Sequence, residues 1–217
     1  MQTNIVLNAH HLSKKFKKKT VINDLSFSLE KGSVVGFLGP NGSDKTTTLR
    51  LLTGLLESDS GNVEILGCDL KSIANSDWSI GAIIEKPDFY LSMTDYENLY
   101  NLALLSENLN KGNISQRIVE VIDIVGLSGS ENKKVKNYSL GMKQRLGIAQ
   151  ALLSDPEILI LDEPTNGIDP IGLRDLRTII KKYSQNSKKT FLISSHMINE
   201  LEDIFTHLVI INKGQLV

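Results

Sequence analysis

Cysteine is nearly absent from this 217-residue chain: Cys68 is the only one. One cysteine excludes an intrachain disulfide framework and spells out no zinc site, and it suits a reducing compartment. Charge of one sign is lacking too. Lysine plus arginine number 24 against 25 acidic residues, a net of −1, so the whole molecule shows no electrostatic footprint for nucleic acid or anionic membrane. No apolar run approaches the ~20 residues of a membrane helix, and the N-terminus has no signal-peptide core. A cytoplasmic protein is expected, with any membrane span supplied by a separate partner. The one dense basic run, "KKFKKK" at Lys14 to Lys19, reads as a solvated hairpin turn, because no second cluster joins it in sequence.

The chain is long enough to bury a full core as one domain. Strand-like runs lie at Asn4 to Ala9, Val21 to Leu29, Ser33 to Gly39, Val63 to Gly67 and Ile80 to Glu85. A helix is predicted from about Lys45 to Leu56. From Lys86 to Asn137 the β-branched runs give way to two helices opened by capping signals, Thr94 with Glu97 and Asn113 with Gln116. This stretch, 86–137, reads as a helical subdomain inserted between core segments 1–85 and 138–217. The core resumes with a helix from about Leu140 to Ser154, the strand "ILILDE", a helix after Pro170, the strand "TFLISS", a short helix and the strand "HLVIINK". Alternating strands and helices predict an α/β fold with a largely parallel sheet. The sequence stops just after a strand at "GQLV", which leaves room for a longer natural C-terminus.

Three stretches carry chemistry. The first, "GPNGSDKT", is almost a phosphate-binding loop: Gly39, Gly42, Lys45 and Thr46 stand where backbone N–H groups, a cation and a magnesium-binding hydroxyl are needed. Asp44, however, occupies the place of the glycine before the lysine and sets a negative charge where phosphates should lie. Either the loop is a plain glycine-rich turn or it is a nucleotide site with one part altered. The second stretch, "ILILDEP", is an apolar strand ending in Asp162 and Glu163, suited to holding a magnesium ion and to orienting an attacking water. The third, "YSLGMKQ", places Ser139 and Gly141 at a helix N-terminus, a second phosphate-type site. One triphosphate rarely needs two. The second site is therefore expected to serve a neighbouring subunit in a symmetric dimer over two nucleotides.

Taken in order, these stretches make the sequence resemble the nucleotide-binding subunits of ATP-binding-cassette (ABC) transporters, from about Ile5 to the end. "AIIEKPDFY" and "YSLGMKQRLGIAQAL" are most similar to the branch that exports bacitracin-type or lantibiotic peptides for self-protection. The resemblance implies a P-loop NTPase core with an N-terminal antiparallel β subdomain and the inserted helices. ATP and Mg2+ are the implied ligands, a membrane permease and a second copy the implied partners, and the inner face of the membrane the implied location. By residue, it implies that Phe16 stacks on adenine. Gly39, Pro40, Asn41, Gly42, Ser43, Asp44, Lys45, Thr46 and Thr47 form the nucleotide loop, and Thr46, Asp162 and Glu85 hold the metal. Glu163, His196 and Glu85 serve hydrolysis. Ser139, Gly141 and Gln144 reach the partner's nucleotide, and Asp169 sits at the dimer seam, though a role as helix N-cap fits it as well. The sequence departs from the family at Asp44, at Leu140 and Met142 in the signature, and at Glu85, which replaces a glutamine. Two rival readings stay open: a nucleotide sensor whose altered loop does not turn over, and a soluble non-transport ABC ATPase. The long coiled coil or second cassette typical of the latter is not present in this sequence.

Overall fold

The computed structural model describes residues 4–72, 80–106, 109, 112–130 and 132–217. Its first unit is an antiparallel sheet of β1 (Ile5–Phe16), β2 (Lys19–Glu30), β4 (Ser60–Ile65) and β5 (Cys68–Asp69), in the order β2-β1-β4-β5. Strands β1 and β2 run longer than their apolar cores, and the basic run forms the tip that joins them. Lys17 takes φ 55 in the turn, and Phe16 pairs with Lys19 across it. Lys15, Lys17, Lys18 and Lys19 are exposed there and cost no desolvation, while the less exposed Lys14 pairs with Asp59 at 3.0 Å.

The second sheet contains β3 (Val34–Leu38), β6 (Ile80–Ile83), β7 (Ile158–Asp162), β8 (Thr190–Ser195), β9 (His207–Asn212) and β10 (Gln215–Leu216). The order is β10-β9-β3-β8-β7-β6, parallel except for β10 at one edge. Alternation within its strands explains their continuous apolar runs. Val35, Phe37, Ile158, Ile160 and Leu192 bury on the side of the antiparallel sheet and α1 (Lys45–Leu52). Val34, Leu159, Leu161, Phe191 and Ile193 bury on the other, against α4 (Leu140–Leu152) and α5 (Pro170–Asn186). A sheet covered on both faces needs apolar residues at every position.

Helices α2 (Asp95–Leu105) and α3 (Ile114–Ile124) pack on that second core. Thr94 and Glu97 form the expected reciprocal capping box. The second expected box is absent: Asn113 has φ −114 and ψ 1, and from that backbone its side chain makes no cap hydrogen bond. A capping side chain reaches the first turn from extended backbone. Helix α1 also ends early, at Leu52 rather than Leu56, because Gly54 turns the chain at φ 71. After β8, the short helix is a single 3-10 turn, Ile198–Glu200. Among the described residues no helix is long and apolar enough to cross a membrane.

Candidate nucleotide site

The loop 39–44 leaves the carboxyl end of β3 and opens α1, while Asp162 ends β7 and His196 follows β8. Parallel pairing of Leu38 with Ser195 and of Asp162 with Ser194 brings these ends to one edge, the usual ligand edge of a parallel sheet. They enclose a cleft of about 370 Å³ lined by Asn41, Gly42, Asp44, Lys45, Thr46, Thr47, Glu163, Asn166 and His196. Close packing holds the loop from beneath. A β-carbon on Gly39 would lie 2.4 Å from both the Ile211 carbonyl oxygen and Ser43 Oγ, and Ser43 is itself only 2% exposed.

Within the cleft, Lys45 Nζ donates to the Gly39 carbonyl at 2.8 Å and to that of Pro40 at 3.4 Å, and it lies 3.3 Å from Glu163 Oε1. The other Glu163 oxygen accepts from His196 Nδ1 at 2.7 Å. Glu163 thus bridges the lysine and the histidine. Asp162 is held separately, by Thr46 Oγ1 at 2.7 Å and by Ser194 Oγ at 2.5 Å. Ser194, which also accepts from the Glu163 N–H at 2.8 Å, was not a candidate from the sequence. Its role emerges only from strand pairing.

Asp44 stands at the N-cap of α1 in left-handed backbone, φ 70 and ψ 29, and its side chain makes no cap hydrogen bond. Aspartate visits this region more readily than most residues, so it can occupy a glycine's place without breaking the loop. Burial raises its carboxyl above the ordinary aspartate value, and the charge of Lys19 on the β1–β2 hairpin opposes that rise.

The remaining candidates divide. Ser139 N-caps α4, accepting from Met142 N at 3.2 Å, and a β-carbon at Gly141 would meet nothing within 4 Å, so this helix start is open. Gln144, grouped with them by sequence, is only 8% exposed and offers little to a second subunit, because the helix turns that position inward. Asp169 N-caps α5, accepting from Gly172 N at 2.7 Å. Phe16 is 48% exposed on the hairpin with Lys14 Nζ 5.9 Å from its ring centroid, and it does not line the cleft. Glu85 lines a neighbouring cleft of about 490 Å³ together with Lys86, Leu140, Asp162, Glu163, Asn166 and Gly167, but its carboxylate meets Arg50. The structure therefore groups Thr46 with Asp162 and leaves Glu85 outside that pair.

The donors suit magnesium, which takes hard oxygen ligands from one or two carboxylates and phosphates. Thr46 Oγ1 and Asp162 Oδ2 supply such a pair at the foot of the phosphate loop.

Comparison with known proteins settles the family. The profile described as ABC transporter matches residues 22–166. The chain belongs to the ABC transporter family. Among its relatives in that family is the ABC transporter ATP-binding protein YhcH of Bacillus subtilis, 44% identical over 98% of this chain and 68% of the relative. Another is the bacitracin transport ATP-binding protein BcrA of Enterococcus faecalis, 39% identical over 98% of this chain and 68% of that one. A third is the lantibiotic transport ATP-binding protein SrtF of Streptococcus pyogenes, 36% identical over 98% and 89%. In three dimensions this ABC protein matches the ATP-binding subunit of an ABC transporter with a TM-score of 0.85, at 27% identity over 97% of this chain and 88% of the other. The fold is that of an ABC ATPase cassette, as the order of motifs implies.

Proposed function

We propose that the chain hydrolyses ATP as a head-to-tail homodimer and thereby drives a separate membrane permease that exports a peptide antibiotic. The bacitracin and lantibiotic transport proteins among its relatives support the substrate class. The observation that carries the reading is the bridge from Lys45 through Glu163 to His196 across the mouth of the loop.

In this arrangement Glu163 ties Lys45 to His196 across the mouth of the loop. The triphosphate's anionic oxygens compete with Glu163 for Lys45 Nζ, while loop N–H groups and the N-terminus of α1 take up their remaining charge. Mg2+, held by Thr46 and Asp162, would lower the charge of the phosphates when bound. Released from the lysine, Glu163 can accept a hydrogen bond from the attacking water and orient it in line with the γ-phosphate. His196, which donates to Glu163, would then donate to the phosphate instead. The open N-terminus of α4, with Ser139 and Gly141, faces outward to complete the second copy's site. The assembly would lie at the cytoplasmic face of the membrane through its permease.

Phosphate release by the purified chain in Mg-ATP, together with co-purification of a membrane partner, tests this directly. Nucleotide binding with no turnover, even beside the permease, would instead favour a sensor, which is the reading that Asp44 supports.

A further inference from the structure

The start of α4 and the turn between β7 and α5 meet at one close contact. Gly167 stands in that turn at φ 74, and a β-carbon on it would overlap Leu140 Cδ2 and lie 3.3 Å from Leu140 Cγ. There is no room for a methyl group. Leu140 is the first residue of α4 and belongs to neither buried core, so one side of it rests on Gly167 while about half of it, 51%, stays exposed. The turn it touches carries Glu163. That residue takes left-handed backbone, φ 47, which a non-glycine residue keeps only where its surroundings fix it. Its N–H donates to Ser194 Oγ at 2.8 Å, and its carbonyl accepts from the Asn166 N–H at 3.1 Å. Asn166 lines both the nucleotide cleft and the neighbouring cleft that Leu140 and Gly167 share.

We infer that Leu140 is a positioning residue for Glu163: seated on Gly167, it fixes the turn 163–168 and with it the backbone from which the Glu163 carboxylate reaches Lys45 and His196. This rests on the nucleotide reading above. Ser194 holds the entry of the turn, and Asp169 holds its exit by capping α5. Between them Asn166 and Gly167 are exposed, and Leu140 supplies the support there. A smaller residue at 140 leaves the middle of the turn without that neighbour, whereas a side chain at 167 drives the two segments apart. The two steric errors are opposite, so they should offset each other when combined.

ATP turnover and ATP affinity of size-changing variants test the inference, together with hydrogen exchange of the Asn166 and Ile168 amides, which donate to Glu163 and Thr165 within the turn. Leu140→Ala is expected to slow turnover at least about tenfold with ATP affinity within about threefold, since the loop that binds phosphate is untouched. It should also raise exchange at both amides severalfold in the nucleotide-free chain. Leu140→Met, close in volume, should match the wild type within about threefold. Gly167→Ala suffers both from its positive φ and from the clash, and Leu140→Ala relieves only the clash. The double variant should therefore turn over faster than Gly167→Ala alone. Wild-type turnover in Leu140→Ala, an equal loss of affinity and turnover, or a double variant no faster than Gly167→Ala would overturn the inference. A wild-type chain that does not hydrolyse ATP would remove the function reading instead, and exchange at the two amides then decides the contact by itself.

Discussion

Replacing Asp44 tests how an acidic residue sits in a phosphate loop. The residue lies in the cleft and takes the left-handed backbone that glycine favours. Two substitutions separate charge from backbone: Asp44→Asn removes the charge and keeps a side chain that tolerates this region, whereas Asp44→Gly removes both. At ~4 Å from a phosphate charge, a carboxylate is opposed by about 4 kcal/mol at an effective dielectric near 20. Asp44 is only partly buried and Lys19 acts on it, so we retain about a third, ~1.4 kcal/mol, which is about tenfold in affinity. Isothermal titration with Mg-ATP should therefore show both variants binding about tenfold tighter than the wild type, with turnover rising in parallel. Glycine exceeds asparagine only if the backbone hinders close approach. Linkage adds a second check. Because burial raises the folded-state pKa, ionising Asp44 costs stability: the folded state is favoured at low pH, and the cost develops as pH rises from the ordinary aspartate value through the raised one. Asp44→Asn should consequently gain stability above that window and none below it. Equal ATP affinities in all three proteins would refute the reasoning and mean that the carboxylate points away from the phosphates.

Other expectations are simpler to state. Glu163→Gln, which weakens the bridge to Lys45 and His196, should retain ATP, slow turnover by at least about a hundredfold and accumulate as a dimer in Mg-ATP, as read by analytical ultracentrifugation. A monomer with nucleotide demonstrably bound would sink the two-copy site. Ile160→Ala, at a fully buried centre of β7, should lose about 2–5 kcal/mol in denaturant unfolding. The hydrogen bond from Lys181 holds the Asp203 carboxyl below the usual aspartate range. Its contribution is thus present above about pH 4 and lost as pH falls through the lowered folded-state value, so Asp203→Asn should flatten the acid limb of a pH–stability curve.

The fold was legible because its evidence is local. Short β-branched apolar runs such as Ile158 to Leu161 read as strands covered on both sides, and Thr94 with Glu97 announces a helix start within four residues. What sequence could not give was pairing across distance. Ser194 acquires its place between Asp162 and Glu163 only when β7 and β8 align, and Arg50 gains a partner 35 residues away only when α1 lies across the ends of β6 and β7. Asn113 shows the converse, since a correct capping pattern came to nothing where the backbone did not extend. Gln144 lies four residues beyond exposed Leu140 and faces inward, a change that only the helix phase decides.

Ser194 also sorts two neighbouring acids into different kinds of part. Its hydroxyl and that of Thr46 clamp Asp162 from both sides, so that this carboxylate keeps one address through any cycle of filling and emptying. Glu163, one residue later, is moored through its carboxylate to Lys45 and His196, side chains that a ligand can take from it. The protein thus separates a fixed fitting from a moving one within a single dipeptide. Ser194→Ala would leave a buried Asp162 oxygen without its donor, at about 1–3 kcal/mol, and would let the fixed acid drift into the space of the mobile one.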